Sequence, residues 1–332
     1  MIQTLYIENA VYDHPRSKQI RERFSHANVV QCERYGEVFN PKAQNFRLQK
    51  QQPALILAEK FHNFVLPAPL SYNIGGENNY YFSHMLNCIY DCRYCFLQGM
   101  YRSANYILFI NYEDFDQAIE ETAKKHAGEQ SYFFSGYDCD SLALEPVTGF
   151  IKHTLPIFRK LDNAIIELRT KSTQIRTLLD CKPMHNCVVA FSLSPDVLSD
   201  ALEHKAPPLK KRLDALVKLQ QAGWPIGLRF DPIIYCDNYQ QLYSEFFEQV
   251  FQHINLEQLH STNLGVFRMP QGFYRNIVKL YPKEKLFAGP LAESQPMVSY
   301  EASLEQEMLT FCRDKLLQLM PEEKLFICHD DI

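Results

Sequence analysis

The chain has 332 residues, 46% of them hydrophobic and 22% charged, a globular composition with enough apolar material to bury a large core and too much of it for a disordered segment. A formal net charge of −5 argues against a protein that coats nucleic acid, because that affinity rests on neutralising phosphates. No apolar run reaches the ~20 residues of a spanning helix, and Glu8 and Asp13 stand where a secretory leader is basic and then apolar, so a cytoplasmic protein without a membrane partner is expected.

Residues 1–70 carry no repeat; the Gln-rich Gln44–Gln52 and the apolar Ala54–Ala58 read as a small N-terminal lead-in subdomain, ended by the extended Leu66-Pro-Ala-Pro-Leu70. Strands are then expected at Tyr80–Leu86, Ser131–Gly136, Ala164–Thr170, Cys187–Leu193, Pro225–Asp231 and Asn263–Met269. Amphipathic helices alternate with them at Asp114–His126, Pro146–Leu161, Thr173–Cys181, Leu209–Ala222, Tyr239–His253 and Gly272–Leu280. This α/β alternation argues a parallel sheet, and about six units suit a partial (β/α)6 barrel over residues 71–290. A flat doubly wound sheet is the alternative. A helix near Leu304–Leu319 makes residues 291–332 a C-terminal helical extension. Tyr137, Lys171, Ser192, Ser194, Asp231 and Arg268 fall at C-terminal strand ends, where such barrels keep their active sites. The basic run His204–Arg212 reads as a solvated loop entering a helix.

Between the first two strands, Cys88, Cys92 and Cys95 have the spacing C-x3-C-x2-C, close enough for one loop to aim three thiolates at one inorganic centre. A closed zinc site takes four ligands and an electron-transfer [4Fe–4S] cluster four cysteines, so a lone triad leaves one iron of a cubane open to a further ligand. His84 completing a Cys3His zinc site, or a fourth thiolate from Cys32 or Cys139, is the bland alternative. Ten cysteines at irregular spacing do not form a secreted disulfide framework, and those outside the triad read as packing residues.

The triad, with Tyr94 before its last cysteine, resembles the cluster motif of radical S-adenosylmethionine (SAM) enzymes, and Cys92-Arg-Tyr-Cys-Phe-Leu-Gln98 is similar to the matching run of spore photoproduct lyases. The similarity continues through Leu5–Phe24, Arg169-Thr-Lys-Ser172, Phe191-Ser-Leu-Ser194, Ala222-Gly-Trp-Pro-Ile-Gly227 and the run from Phe267 to Leu286. The resemblance implies a [4Fe–4S] cluster on Cys88, Cys92 and Cys95 that reductively cleaves SAM to a 5′-deoxyadenosyl radical, an external electron donor such as a flavodoxin or ferredoxin, and damaged DNA carrying a thymine lesion as substrate. It also implies cofactor-binding roles for Tyr94, Lys171 and Ser192; read alone, Lys171 is a solvated strand end and Ser192 a turn cap. Other radical SAM substrates (a peptide, a modified base, a metabolite) and a non-enzymatic metal-binding module stay open.

Four departures from the family pattern accompany the resemblance. Tyr137 takes the position of the hydrogen-donating cysteine, and Cys139 lies two residues on, within reach of the barrel mouth if both share a strand face. Either is a candidate donor, and a donor displaced by one pleat repeat predicts weak repair of spore photoproduct. Phe96 replaces a second tyrosine. Asp231 replaces a small residue, and Ala288–Tyr300 lacks the family's cationic tract.

Overall fold

The six expected strands all form and run parallel in one sheet. In the computed structural model, which describes residues 2–39, 41–69 and 72–328, the spatial order is Leu66–Pro67, Asn78–Phe82, Ser131–Ser135, Ala164–Thr170, Cys187–Ser192, Ile226–Ile233, Leu259–Val266 and Leu325–Ile327. Every neighbouring pair is parallel except the antiparallel edge pair Leu66–Pro67 with Asn78–Phe82. The edge strand Leu325–Ile327 comes from the C-terminal extension, beyond the helix Ala302–Leu316. Every residue of Cys187–Ser192 is buried, as in a parallel strand covered on both faces. The helix Tyr112–Lys125 shows how the cover is built. Phe115, Ile119 and Ala123 recur at helical spacing on its buried side, with Glu113 and Asp114 in the first turn and Lys124 and Lys125 in the last, each complementing the helix dipole.

Local boundaries differ from those expected. The helix foreseen over Pro146–Leu161 is two, Glu145–Thr148 and Phe150–Phe158, divided by Gly149 at a left-handed φ of 59°. That foreseen over Thr173–Cys181 shrinks to Arg176–Leu179, and an unexpected helix, Asp196–Leu202, follows Ser194.

A second sheet, ordered Asn28–Cys32, Thr4–Glu8, Leu55–Ala58, Tyr106–Phe109 and Met85–Leu86, takes two of its strands from beyond residue 70. The first barrel strand therefore ends at Phe82 rather than Leu86; the chain leaves the barrel and pairs Met85–Leu86 antiparallel with Tyr106–Phe109. The cysteine loop is the excursion between those two strands. Asn87 closes its neck: held at φ 69°, it donates from its side-chain amide to the carbonyls of Ser103 (2.8 Å) and Asn105 (2.7 Å).

Candidate active site

The cysteine loop folds over the C-terminal ends of the parallel strands and encloses a cavity of about 480 Å³. Cys88, Cys92, Cys95, Tyr94, Tyr137, Cys139, Lys171 and Ser192 all line it, so one site collects every residue that the sequence singles out for cofactor or catalysis. Asp231 and Arg268 line it too. His84 stacks instead on Phe150, with centroids 4.0 Å apart, and Cys32 ends the edge strand of the second sheet.

Burial dominates the chemistry of the triad. It pushes the Cys88 thiol up to about 12, with Asp140 adding to the effect, and raises Cys92 and Cys95 as well. Without a metal these groups stay protonated, so loading the loop releases protons. Three cysteines lining one cavity are a donor set that suits a thiolate-ligated cluster.

Around the triad, ionic and hydrogen-bonded groups fix the neighbouring loops. Cys92 pairs with Glu203 in a short antiparallel ladder, and the Arg93 N–H donates to the Leu202 carbonyl (2.8 Å). The Glu203 carboxylate accepts from the Tyr94 hydroxyl, the hydroxyls of Ser194 (3.1 Å) and Ser199 (2.9 Å), and Arg212. Burial works to raise its pKa, yet Lys171 and Arg212 hold it at about 2. Arg212 also donates to the Ser192 carbonyl (3.1 Å), joining the cysteine loop to the loop after the fourth parallel barrel strand. The run His204–Arg212 is thus only partly a solvated surface, since Arg212 is fully buried. Lys171 stands 5.4 Å from the Tyr94 ring. Burial opposes its charge, but the ionised Glu203 carboxylate favours it and its pKa is raised, so it is not the solvated strand end of the plainer reading.

On the substrate side, the strand Ser131–Ser135 stops before Tyr137, which corrects the premise that Tyr137 and Cys139 share a strand face. Gly136 turns the chain at φ 88°, where an added Cβ would meet Ser141 Oγ at 2.5 Å and the Arg169 carbonyl oxygen at 3.1 Å. Both residues reach the cavity from the resulting bend. Asp140 anchors it, accepting from Thr170 Oγ1 (2.7 Å) and from the N–H groups of Lys171 (2.7 Å), Leu142 (3.0 Å) and Ala143 (2.9 Å). The Tyr137 ring packs among Tyr81 (4.4 Å), Phe96 (5.6 Å) and Tyr72 (5.7 Å). Burial, with Cys88 and Asp140 nearby, raises the Cys139 thiol well above its ordinary value.

The barrel holds ion pairs at and beneath the cavity wall: Arg229 with Glu167 (2.6 Å), Glu167 with Arg169 (2.9 Å), and Asp231 with Arg268 (2.9 Å). Arg169 lies 4.1 Å over the Tyr72 ring. Glu203, Asp140, Tyr72 and Arg169 are site residues to which the sequence reading gave no role. Glu167 and Arg169 share one face of the strand Ala164–Thr170, as Arg229 and Asp231 do in Ile226–Ile233, and that alternation was the available signal for Arg169. The hairpin Leu291–Ser294 with Met297–Tyr300 carries Met297 to the cavity wall, and its one charged strand residue, Glu293, faces Arg275 (3.2 Å).

A parallel partial barrel with a C-x3-C-x2-C loop over its C-terminal mouth defines a radical SAM enzyme. A profile of the spore photoproduct lyase family matches residues 1–295, and the chain belongs to that family, whose members are radical SAM lyases with a [4Fe–4S] cluster. It is 25% identical over 293 residues to the spore photoproduct lyase of Bacillus subtilis (strain 168), covering 86% of this chain and 83% of that one. Over 202 residues it is 25% identical to the lyase of Geobacillus sp. (strain Y412MC61), covering 60% and 59%. Among solved structures, a cysteine-to-alanine variant of spore photoproduct lyase superposes with a TM-score of 0.86 at 19% identity, over 99% of this chain and 98% of that one. A double variant with bound AdoMet and dinucleoside spore photoproduct gives 0.86 at 18% identity, over the same shares.

Proposed function

We propose that this chain binds a [4Fe–4S] cluster through Cys88, Cys92 and Cys95, cleaves SAM reductively with an electron from an external donor, and acts as a spore photoproduct lyase-type enzyme on a thymine lesion. The observation that carries the proposal is the single cavity shared by the triad, Lys171, Ser192, Tyr137 and Cys139. Bound there, the reduced cluster and SAM supply a 5′-deoxyadenosyl radical. The protein's own part is binding, orientation and exclusion of water. Lys171, held cationic, suits a carboxylate; Ser192 lines the wall beside it; the aromatic group around Tyr137 offers a face for a planar base.

Cys139 returns the hydrogen atom, with Tyr137 as wall rather than donor. Its buried thiol keeps the S–H that such a transfer needs, and it lines the cavity from the bend after Gly136. The test offers reconstituted protein and SAM a dinucleoside spore photoproduct and measures thymine product per 5′-deoxyadenosine. Native protein and Tyr137→Phe should stay coupled, while Cys139→Ala should cleave SAM without repair. Coupled repair by Cys139→Ala would refute the donor assignment, and protein that takes up no iron would refute the cluster.

One observation favours a second substrate. The hairpin beside the cavity bears no cation on either strand, which suits a substrate without a nucleic-acid backbone better than a DNA duplex. SAM cleavage that never couples to any thymine lesion in any variant would favour it.

A further inference from the structure

Lys50 lies outside the cavity and has no role in the chemistry above. It belongs to the helix Phe46–Gln51, which Asn45 caps by accepting from the Leu48 N–H (3.1 Å). Only 5% of Lys50 is exposed. Its ammonium donates to the carbonyls of Cys88 (3.2 Å) and Tyr90 (3.2 Å), both within the cysteine loop. Its own carbonyl accepts from Lys205 (2.7 Å), just past the strand Glu203–His204 that pairs with Asp91–Cys92. Gln49, one residue earlier, accepts from the Ser103 hydroxyl (3.3 Å) and the Ala104 N–H (3.0 Å). One short helix therefore grips both limbs of the loop.

Burial works against the Lys50 ammonium, the Asp91 carboxylate favours it and the Lys205 ammonium opposes it. Among the described residues no carboxylate is hydrogen-bonded to it. A buried cation held by two neutral carbonyls is incompletely compensated, and negative charge arriving in the loop is what completes it. One-electron reduction by an external donor makes a thiolate-ligated cluster one unit more negative and requires no proton to move. Net charge and hydrogen bonding around the ligands are among the levers that set a cluster's potential.

We infer that Lys50 is a positioning residue that sets the cluster's potential: it braces the cysteine loop through two carbonyls, and its buried charge favours the reduced state. The inference rests on the proposed cluster site. It is tested on the full-length reconstituted protein by redox titration followed by electron paramagnetic resonance, with iron content measured on each preparation. Lys50→Arg should titrate as the native protein does. At native iron content, Lys50→Gln and Lys50→Met should show a ratio of reduced to oxidised cluster about tenfold lower at the native midpoint, equivalent to about 59 mV for one electron. Lys50→Gln, which keeps a donor without the charge, decides the matter if Lys50→Met holds less iron. A native midpoint in Lys50→Gln overturns the inference, as does loss of iron from all three variants. A native protein without iron overturns the cluster site itself, and the variants then play no part.

Discussion

Replacing Glu203 by Gln removes one charge from a pair whose two side chains are both fully buried. The carboxylate serves Tyr94, Ser194, Ser199 and Arg212 together. An amide of the same shape still accepts, but it leaves the Arg212 guanidinium without its counter-charge and turns an NH2 toward one of the donors. Breaking a buried pair from one side costs about 3–5 kcal/mol. The lower end applies here, because Arg212 keeps its bonds to the Pro207 (2.6 Å) and Ser192 (3.1 Å) carbonyls. At about 2 °C per kcal/mol, suited to a chain of this size, about 3 kcal/mol lowers Tm by roughly 6 °C. Thermal melting followed by circular dichroism measures it. Adding Arg212→Met should recover at least half the loss, since apolar replacement of both partners removes the stranded charge. A Glu203→Gln melt within about 1 °C of native, or a double variant no better than the single, would refute the reasoning.

Acid stability should report the same chemistry. Glu167 and Glu203 have an ordinary pKa of 4.5 and are held near 2 in the fold, where burial is outweighed by Arg229 and Arg169 for the first and by Lys171 and Arg212 for the second. A depressed folded pKa gives stability that is complete above 4.5 and is lost as pH falls toward 2. Tm should drop steeply across that window, and less steeply in Glu167→Gln; equal slopes would count against this account. Cys92→Ala should reconstitute with well under half the native iron while Cys181→Ala keeps it, as iron and sulfide analysis would show. Phe150→Ala should cost about 3–5 kcal/mol, because its fully buried ring packs on His84, Tyr112 and Phe115; a urea-midpoint shift equivalent to under 1 kcal/mol would contradict that packing.

The barrel was legible because its strands repeat a strong pattern: apolar runs such as Cys187–Ser192 set between amphipathic helices. The triad was legible because three ligands lie within eight residues of chain. What escaped lies where local pattern and tertiary pairing part. Tyr106–Phe109 is a fully buried four-residue strand, too short to announce itself, and its parallel partner Leu55–Ala58 lies some fifty residues earlier in the chain. The strand foreseen to Leu86 combines two that serve different sheets, since alternation carries no mark of which partner a segment meets. Arg212 looked like surface in a basic run. The helix Leu209–Gln221 nonetheless places it with Leu209, Leu213 and Leu216 on the buried side, a phase that the leucines alone could have given. Lys50 offered no such signal, because its burial comes from segments far away in the chain.

By tying the two necks of the loop together through Ser103 and Asn105, the amide of Asn87 uses bonds that involve no sulfur and no iron. The neck of the loop is therefore closed by bonds that owe nothing to the sulfurs, and its closure does not itself depend on what the three cysteines hold.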